Sequence, residues 1–313
     1  MADSNPLVSV IIPSYNCERY IAETMESVLN QSFKDIELIV VDDGSTDNTR
    51  EIVESFGEPV RLITQENARV CAARNHGLRQ SRGKYICFMD HDDYWFPHKL
   101  ETQLKIMENH PEAGVVYSEF LLWHPDRQGK WPSPSSLQPE GDLDAIDPEF
   151  SGWIYHQFLL DCWMLTSTAM FRKEVLEQCG DFDVNLPYSE DWDLWLRISR
   201  EFQFIKLIEP NTLYRQHPEQ GNRKVRDIDY RTVLLEKAVK KWGYCSPDGR
   251  CTEKPVFLKK LAHYHAAYGL HQLQAGNTGI ARRSFLKAWR NNPLKPKYLA
   301  YIAASMAGWK PSR

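Results

Sequence analysis

The chain lacks a long hydrophobic run. Nowhere in its 313 residues do about 18 apolar residues follow one another, so no transmembrane helix is expected. The first residues, MADSNPLVSVII, contain no basic leader and only a short apolar run, which is not the pattern of a signal peptide. Excess positive charge is also missing, because the net charge is −4. We therefore expect a cytoplasmic globular protein that does not bind nucleic acid.

Paired cysteines are missing as well. The seven cysteines are odd in number and scattered, with no CxxC pair, so neither a zinc cluster nor a disulfide framework is indicated. Reduced and mostly buried thiols are the expected state in a cytosolic protein. Cys245 and Cys251 bracket the short loop CSPDGRC and could pair in an oxidising environment.

Short apolar runs alternate with helical patterns in the first part of the chain. This alternation predicts an α/β fold, with a mostly parallel sheet covered by helices on both faces. Ligands bind at the carboxyl ends of the strands in such sheets, so DDGS (42–45) and DHDD (90–93) should share one crevice. The strands are expected at 7–12, 37–41, 60–64 and 84–89, and the helices that follow them at 19–31, 46–56, 70–80 and 97–109.

The second part of the chain changes character. Residues 124–153 are rich in proline, serine, glycine and acid, which indicates a long loop or mobile flap. A strand, a short helix and a turn are expected over 166–183, a helix over 188–202 and a strand over 202–208. Helical patterns then take over, and 262–295 resembles one tetratricopeptide repeat. We expect two domains, 1–225 and an all-helical appendage at 226–313. The appendage should pack on the first domain and not form a solenoid, because one repeat cannot bury its own face.

Each acidic block has a plain structural explanation when taken alone. DDGS is good turn chemistry, since aspartate side chains bond nearby amides and glycine accepts positive φ. DHDD could be a solvated turn, or it could cap the helix that begins at Pro97 and complement its dipole.

The order of the motifs carries more information than any one of them. The succession SVIIPSYN, VVDDGSTDNT, ENARVCAARN, FMDHDD, SEDWDLWLR and YRQH resembles the family 2 glycosyltransferases, which are inverting enzymes with a GT-A fold. The resemblance covers roughly residues 6–217. It implies a nucleotide-sugar donor, a divalent cation and a carboxylate base.

The resemblance implies that a Mn²⁺ or Mg²⁺ ion binds the donor diphosphate. Asp92 of the DxD motif would be the direct ligand, and Asp90 would contact the ribose or a water on the metal. Asp93 would have a supporting or structural role. His217 of YRQH would approach the metal or the diphosphate, and its plain alternative is a loop imidazole. Oxygen ligands suit both ions, which accept one or two protein carboxylates together with phosphate and water.

The donor-binding residues follow from the same resemblance. Pro13 and Tyr15 would lie against the base, and Asp43 would accept a hydrogen bond from a pyrimidine imide, which favours a UDP-sugar or a dTDP-sugar. Asn67 and Arg74 match the donor-binding segment of the family, with Arg74 as the cation for phosphate or base.

Two positions depart from the family pattern. Arg69 stands near the asparagine where the family usually has glycine or a small residue, and it could alter donor choice or point outward. His91 is the centre of the DxD motif, where small residues are common. It could change the metal environment, although an exposed imidazole is the preferred interpretation.

The base predicted from the resemblance is Asp191, in SEDWDLW. It would take the proton of the acceptor hydroxyl on the face opposite the leaving diphosphate. We expect it to stay ionised, because a helix start favours the anion. The plain alternative is that it only caps the helix. Asp193 is expected to point outward and to have no part in the reaction.

The acceptor and the partners are less defined. A growing polysaccharide or a lipid-linked oligosaccharide is the family habit, and Trp153, Trp163 and Trp192 could stack on an acceptor sugar or fill the core. The final helix could rest on the inner face of a membrane, although packing on the appendage is preferred. The sequence leaves the oligomeric state open, a homo-oligomer included.

Two rival functions remain. One is a nucleotidyltransferase that makes nucleotide sugars, which would need a glycine-rich basic loop that SVIIPSYNCERY does not contain. The other is a catalytically silent, glycan-binding or scaffold protein.

Overall fold

The computed structural model describes residues 5–221 and 224–307. They form two compact units. The first comprises residues up to Ile154 together with Cys162–His217, and the second comprises Tyr155–Asp161 and the residues from Pro218 onward. The division predicted at residue 225 remains a prediction for the domain organisation.

A single mixed sheet forms the first unit. Its strands are β1 Val8–Ser14, β2 Ile36–Asp42, β3 Val60–Thr64, β4 Tyr85–Phe88, β5 Tyr94–Trp95, β6 Ala113–Trp123, β7 Ile146–Gly152, β8 Met170–Arg172 and β9 Gln203–Arg215. Four strands at one side, in the order β3-β2-β1-β4, are parallel, and β8 pairs with both β4 and β6 in antiparallel fashion. The strand β9 then pairs with β6 in parallel, and with β5 and β7 in antiparallel fashion.

Residues 5–221 and 224–307 contain eleven α-helices. In the first unit they are α1 Ile21–Leu29, α2 Thr49–Ser55, α3 Arg69–Gln80, α4 Lys99–Asn109, α6 Lys173–Cys179 and α7 Glu190–Ile198. In the second unit they are α5 Tyr155–Phe158, α8 Tyr230–Trp242, α9 Lys254–Gln274, α10 Thr278–Asn291 and α11 Lys297–Met306. In the described residues, no helix combines the length and the apolar character that crossing a membrane requires.

The α/β core follows from the apolar runs. Strands β1 and β4 are buried along their whole length, as expected for parallel strands covered on both faces. Helix α3 lies directly against β1, and Gly77 permits this approach, because a Cβ at that position would clash with Ile11. The predicted α/β class is therefore confirmed.

The middle of the chain differs from the prediction in two ways. Strand β6 was not predicted, although its sequence AGVVYSEFLLW is strongly apolar and its first six residues are buried. The segment predicted as a loop or flap, 124–153, contains a 3-10 turn at Pro134–Leu137 and the strand β7, which pairs with β9. A half-exposed edge strand with proline and acid inside it has a sequence that periodicity alone does not separate from a loop.

The second unit is built from helices. Gly269 of α9 allows the ring of Phe285 on α10 to approach, because a Cβ would clash with that ring. Helix α11 packs on this pair through Tyr298, Tyr301 and Ile302. The resemblance to a tetratricopeptide repeat stays a prediction, as does contact with a membrane. The cationic residues Lys310 and Arg313, which would contribute to such a contact, lie outside the described residues.

The cysteines follow both sequence expectations. Cys245 and Cys251 form a disulfide within the second unit. The other five cysteines are thiols, and three of them, Cys17, Cys71 and Cys87, are buried.

Candidate active site

The carboxyl ends of β1, β2 and β4 deliver the predicted residues to one edge of the sheet. Pro13 lies at the end of β1 beside Val41 of β2, and its carbonyl accepts a hydrogen bond from His91 Nδ1 at 3.1 Å. Tyr15, which follows β1, is 45% exposed and available to a ligand. Because His91 is partly buried and hydrogen-bonded to β1, the preferred interpretation of an exposed imidazole is wrong.

Arg74 of α3 connects two acids of the site. Its guanidinium donates to Asp90 at 2.6 Å and to Glu190, the first residue of α7, at 3.0 Å. It is 4% exposed and lies over the ring of Phe182. Burial alone would lower the pKa of Arg74, but Asp90 and Glu190 raise it above its ordinary value, so the group is a permanent cation.

Asp92 and His217 form a second pair. His217 Nε2 donates to Asp92 Oδ2 at 2.8 Å. Burial opposes ionisation of Asp92, yet the hydrogen bond from His217 and the nearby His91 lower the pKa of its carboxyl group below the ordinary value. The structure therefore brings together two residues that are 125 positions apart and that the motif predicted to share a cation.

Asp93 has a structural environment. It is 1% exposed, and its carboxyl group accepts hydrogen bonds from the Ser167 hydroxyl at 2.5 Å and from the Arg215 amide at 3.3 Å. Burial raises the pKa of Asp93 well above its ordinary value, and Asp92 and Asp90 add to the effect. The alternative that Asp93 caps the following helix is wrong, because α4 begins without a side-chain cap.

Two residues that sequence reasoning missed support this turn. Ser167 accepts a hydrogen bond from the Asp90 amide at 3.0 Å while it donates to Asp93. Arg215 donates through Nε to the Asp92 carbonyl at 2.7 Å and through its terminal nitrogen to Glu23 at 2.5 Å. Arg215 belongs to the YRQH motif, but the resemblance predicts a role only for the histidine of that motif.

Asp43, which directly follows β2, binds the first amides of helix α3. Its two carboxylate oxygens accept hydrogen bonds from Gln65 Nε2 at 2.7 Å and from the amides of Ala68 and Arg69 at 2.8 Å each. A carboxylate has about four acceptor positions, so one remains for the predicted contact with a pyrimidine imide. Asn67 is exposed beside this turn.

The departure at Arg69 has a backbone correlate. Its φ is +73°, a conformation in which glycine is unstrained and other residues are uncommon. Asn16 and Ser189 also have positive φ, at +46° and +60°. Asn16 follows β1, Arg69 is the first residue of α3, and Ser189 directly precedes α7. Such strain is typical of segments that a ligand site holds in place.

Asp191 lies in the first turn of α7. Its Oδ1 accepts a hydrogen bond from the Trp192 amide at 2.7 Å. Burial, with the charge of Glu190, raises the pKa of Asp191 to about 7. The expectation that the helix dipole keeps this group ionised is therefore wrong, because desolvation outweighs a dipole worth at most about 2 kcal/mol.

The remaining predictions for this helix divide. Asp193 is buried and pairs with Arg197 at 2.9 Å, so the expectation that it points outward is wrong. Trp192 is 2% exposed and belongs to the core, whereas Trp163 is 39% exposed and lies beside Phe150 with ring centroids 5.0 Å apart. Trp163 is thus the better placed of these two for a sugar, while Trp153 is partly buried.

A metal site is not preformed around three protein ligands. Across 5–221 and 224–307, no three histidine, cysteine, aspartate or glutamate side chains are grouped to hold a cation. Asp90, predicted as a helper, faces Arg74 instead, which leaves Asp92 and His217 as the adjacent pair of donors.

Comparisons with known proteins agree with this architecture. The model of the family described as Glycosyl transferase family 2 matches residues 9–163. A glycosyltransferase of Rickettsia typhi is 33% identical over 236 residues, which cover 74% of this chain and 68% of that protein. The Escherichia coli UDP-Glc:alpha-D-GlcNAc-diphosphoundecaprenol beta-1,3-glucosyltransferase WfgD is 31% identical over 197 residues, or 62% of this chain and 70% of that enzyme.

Other relatives are much longer than the matched region. The chain spans 31%, 37% and 45% of the length of three further curated relatives from Rickettsia. The crystal structure of S. aureus TarS 1-349 in complex with UDP-GlcNAc has the same fold. It superposes with a TM-score of 0.63 at 17% identity and covers 96% of this chain and 92% of that one. By its sequence relatives and its GT-A fold, the chain belongs to glycosyltransferase family 2.

Proposed function

We propose that this glycosyltransferase moves a sugar with inversion from a UDP-sugar or dTDP-sugar to a hydroxyl group of a glycan or lipid-linked acceptor. The observation that carries the proposal is the bridge made by Arg74, which pairs with Asp90 of the DxD motif at 2.6 Å and with Glu190, the neighbour of Asp191, at 3.0 Å. The raised pKa of Asp191, about 7, supports its assignment as the base. One crevice would then hold both the base and the DxD motif.

Asp191 would remove the proton of the acceptor hydroxyl as the oxygen attacks the sugar. A base is most effective when its pKa lies near the working pH, and a carboxylate with its ordinary pKa would be a weaker one. Burial supplies the tuning. Glu190 does not compete for this role, because it is paired with Arg74.

The donor set near the DxD turn fits a divalent cation. Asp92 Oδ2 and His217 Nε2 are 2.8 Å apart. To ligate a cation, His217 would release the Nε2 proton that it now donates to Asp92, because a ligating imidazole nitrogen carries no hydrogen. The carboxylate is ionised at neutral pH, as a ligand must be. When bound by Asp92 and His217, Mn²⁺ or Mg²⁺ would supply positive charge that stabilises the diphosphate leaving group.

The nucleotide would be held between the end of β1 and the start of α3. Tyr15 offers an exposed ring, and Asp43 has one acceptor position left for a pyrimidine imide. Arg74, which is cationic at every physiological pH, would hold Asp90 toward the ribose. The name of the Escherichia coli relative, which specifies UDP-Glc, supports this donor class.

The acceptor proposal rests on the same relative, whose printed acceptor is linked to diphosphoundecaprenol. We place the catalytic domain at 1–225 and assign 226–313 to the acceptor side of the function. The reaction would take place in the cytoplasm, at the inner face of the membrane where such an acceptor is anchored.

A panel of nucleotide sugars tests the proposal. Thermal stabilisation and slow hydrolysis should appear with UDP-sugars or dTDP-sugars and require Mn²⁺ or Mg²⁺, whereas purine nucleotides should have no effect. The anomeric configuration of a transferred sugar, read by NMR, should be opposite to that of the donor. Binding of UDP without turnover of any sugar would favour the scaffold alternative, and no binding at all would refute the donor class.

A further inference from the structure

Arg215 sits in a cage of three aromatic rings beside the DxD turn. Its guanidinium carbon lies 4.1 Å from the ring centroid of Trp123 and 5.1 Å from those of Tyr20 and Trp131. The side chain is 3% exposed. Cation–π attraction strengthens when the cation is desolvated, so this environment holds the guanidinium in one orientation.

That orientation is directed at the DxD turn. The Arg215 guanidinium donates to the carbonyl of Asp92, and the Arg215 backbone amide donates to the carboxyl group of Asp93. Glu23 takes a second guanidinium nitrogen and neutralises the charge. Arg215 therefore fixes the backbone on which the proposed metal ligand is mounted, two residues before His217.

One wall of the cage comes from a separate part of the chain. Trp131 belongs to the exposed stretch between β6 and β7, and it contacts Tyr20 edge to face at 6.0 Å and Trp123 at 6.4 Å. The Trp123 indole also donates to the Pro132 carbonyl at 3.0 Å. Tyr20 in turn lies against the His217 ring, with centroids 4.7 Å apart. Three contacts thus link this stretch to the cage, and Tyr20 links the cage to His217.

We infer that Arg215 is a positioning residue for the DxD turn and that Trp131 locks it in place, so that the 124–145 segment sets donor affinity. The inference rests on the proposed function for its ligand, but not for its geometry. Trp131 reaches the DxD turn through the Arg215 guanidinium and reaches His217 through the Tyr20 ring.

The control variant comes from the same stretch. Leu137 packs in the apolar cluster that includes Trp123 and Trp131, but that cluster contact is aliphatic and does not offer Arg215 a ring face. A role limited to packing the segment would make Leu137→Ala and Trp131→Ala equivalent. Trp131→Phe retains a ring face and should restore most of the wild-type behaviour.

The first measurement needs no ligand. Amide hydrogen exchange of peptides spanning 88–95 should be at least about threefold faster in Trp131→Ala and in Arg215→Lys than in wild type, and unchanged in Leu137→Ala. Lysine keeps the charge, but it cannot serve Asp92 and Glu23 with a planar fork. Equal exchange in wild type and Trp131→Ala would overturn the inference, and so would equal acceleration by Leu137→Ala.

The second measurement is UDP binding by calorimetry with and without Mn²⁺. Trp131→Ala should weaken binding about tenfold in the presence of Mn²⁺, with a smaller change in its absence, while the turnover number changes less than the donor KM. Trp131→Phe should bind within about threefold of wild type. A wild-type protein that binds no UDP refutes the donor proposal, whereas the exchange result still decides the positioning role.

Discussion

Two carboxyl groups of the first unit, one buried and one partly buried, have opposite surroundings. Glu37 of β2 is 4% exposed and accepts hydrogen bonds from Ser9 at 2.6 Å, from the Arg82 amide at 2.7 Å and from Arg61 at 2.9 Å. Burial opposes its ionisation, but these donors lower the pKa of Glu37 below the ordinary value. Asp191 is held beside Glu190 instead, and its pKa is raised.

The difference separates support from chemistry. A carboxylate whose charge is fully matched contributes stability and cannot exchange a proton near neutral pH. A carboxyl group placed beside another acid costs stability and becomes a usable base. The two groups should therefore respond to mutation in opposite ways.

The largest effect is expected for Asp191→Asn. Loss of the base should lower the transfer rate about 10²- to 10⁴-fold, while UDP binding is retained. Folding raises the pKa of Asp191, so wild-type stability declines as pH rises from the unfolded value of about 3.9 toward about 7. The variant should therefore melt at a higher temperature than wild type at pH 8. Comparable turnover by the variant would remove Asp191 from the mechanism.

The pH profile is the next test. The base must be deprotonated, so kcat/KM should fall about tenfold per pH unit below about 7, which is the pKa of Asp191. Rates measured from pH 5 to 9 with saturating Mn²⁺ should show this limb. The residual rate of Asp191→Asn serves as the control and should lack it. A flat profile would show that Asp191 does not limit the reaction.

A smaller effect is expected for His217→Gln. Glutamine can still donate a hydrogen bond to Asp92, but its amide nitrogen cannot ligate a cation, so Mn²⁺-dependent UDP binding should weaken about 10- to 100-fold. Calorimetry with EDTA should show little difference from wild type, because the contact with the nucleotide base is unchanged. If the variant lost binding equally in EDTA, His217 would act on the nucleotide or on the fold, not on the cation.

The smallest effect on catalysis is expected for Glu37→Gln. Removing a matched charge should cost about 2–3 kcal/mol of unfolding free energy at pH 7, with kcat/KM unchanged. Folding lowers the pKa of Glu37, so its contribution is complete above the unfolded value of about 4.3 and is lost as pH falls through the folded value. Denaturation curves of both proteins should therefore converge in acid. A loss of activity without a loss of stability would contradict the comparison.

The sequence predicted features that depend on neighbours along the chain or on repeated motifs. The strands β1 to β4 and the crevice at their carboxyl ends are of this kind, since apolar runs and turn residues are local signals. Strand β6 has an apolar sequence of the same kind, although it was not predicted. The fold class was therefore predictable in advance, although the order of the second half of the sheet was not.

Features that depend on distant neighbours could not be predicted. The cage around Arg215 draws its rings from positions 20, 123 and 131, and no spacing announces it. The ionisation of Asp191 was misjudged because the helix start is visible in the sequence while the burial is not. Local electrostatics gave one sign, and tertiary packing gave the other.

Gly77 has a consequence for how this enzyme can vary. Arg74 lies one turn before it on α3, so the contact of Gly77 with Ile11 sets how far the guanidinium reaches toward Asp90 and Glu190. A Cβ atom at position 77 would push α3 away from β1 and so displace the guanidinium of Arg74. The site thus depends on a residue that carries no functional group, because the close packing of Gly77 against Ile11 limits substitution at this position.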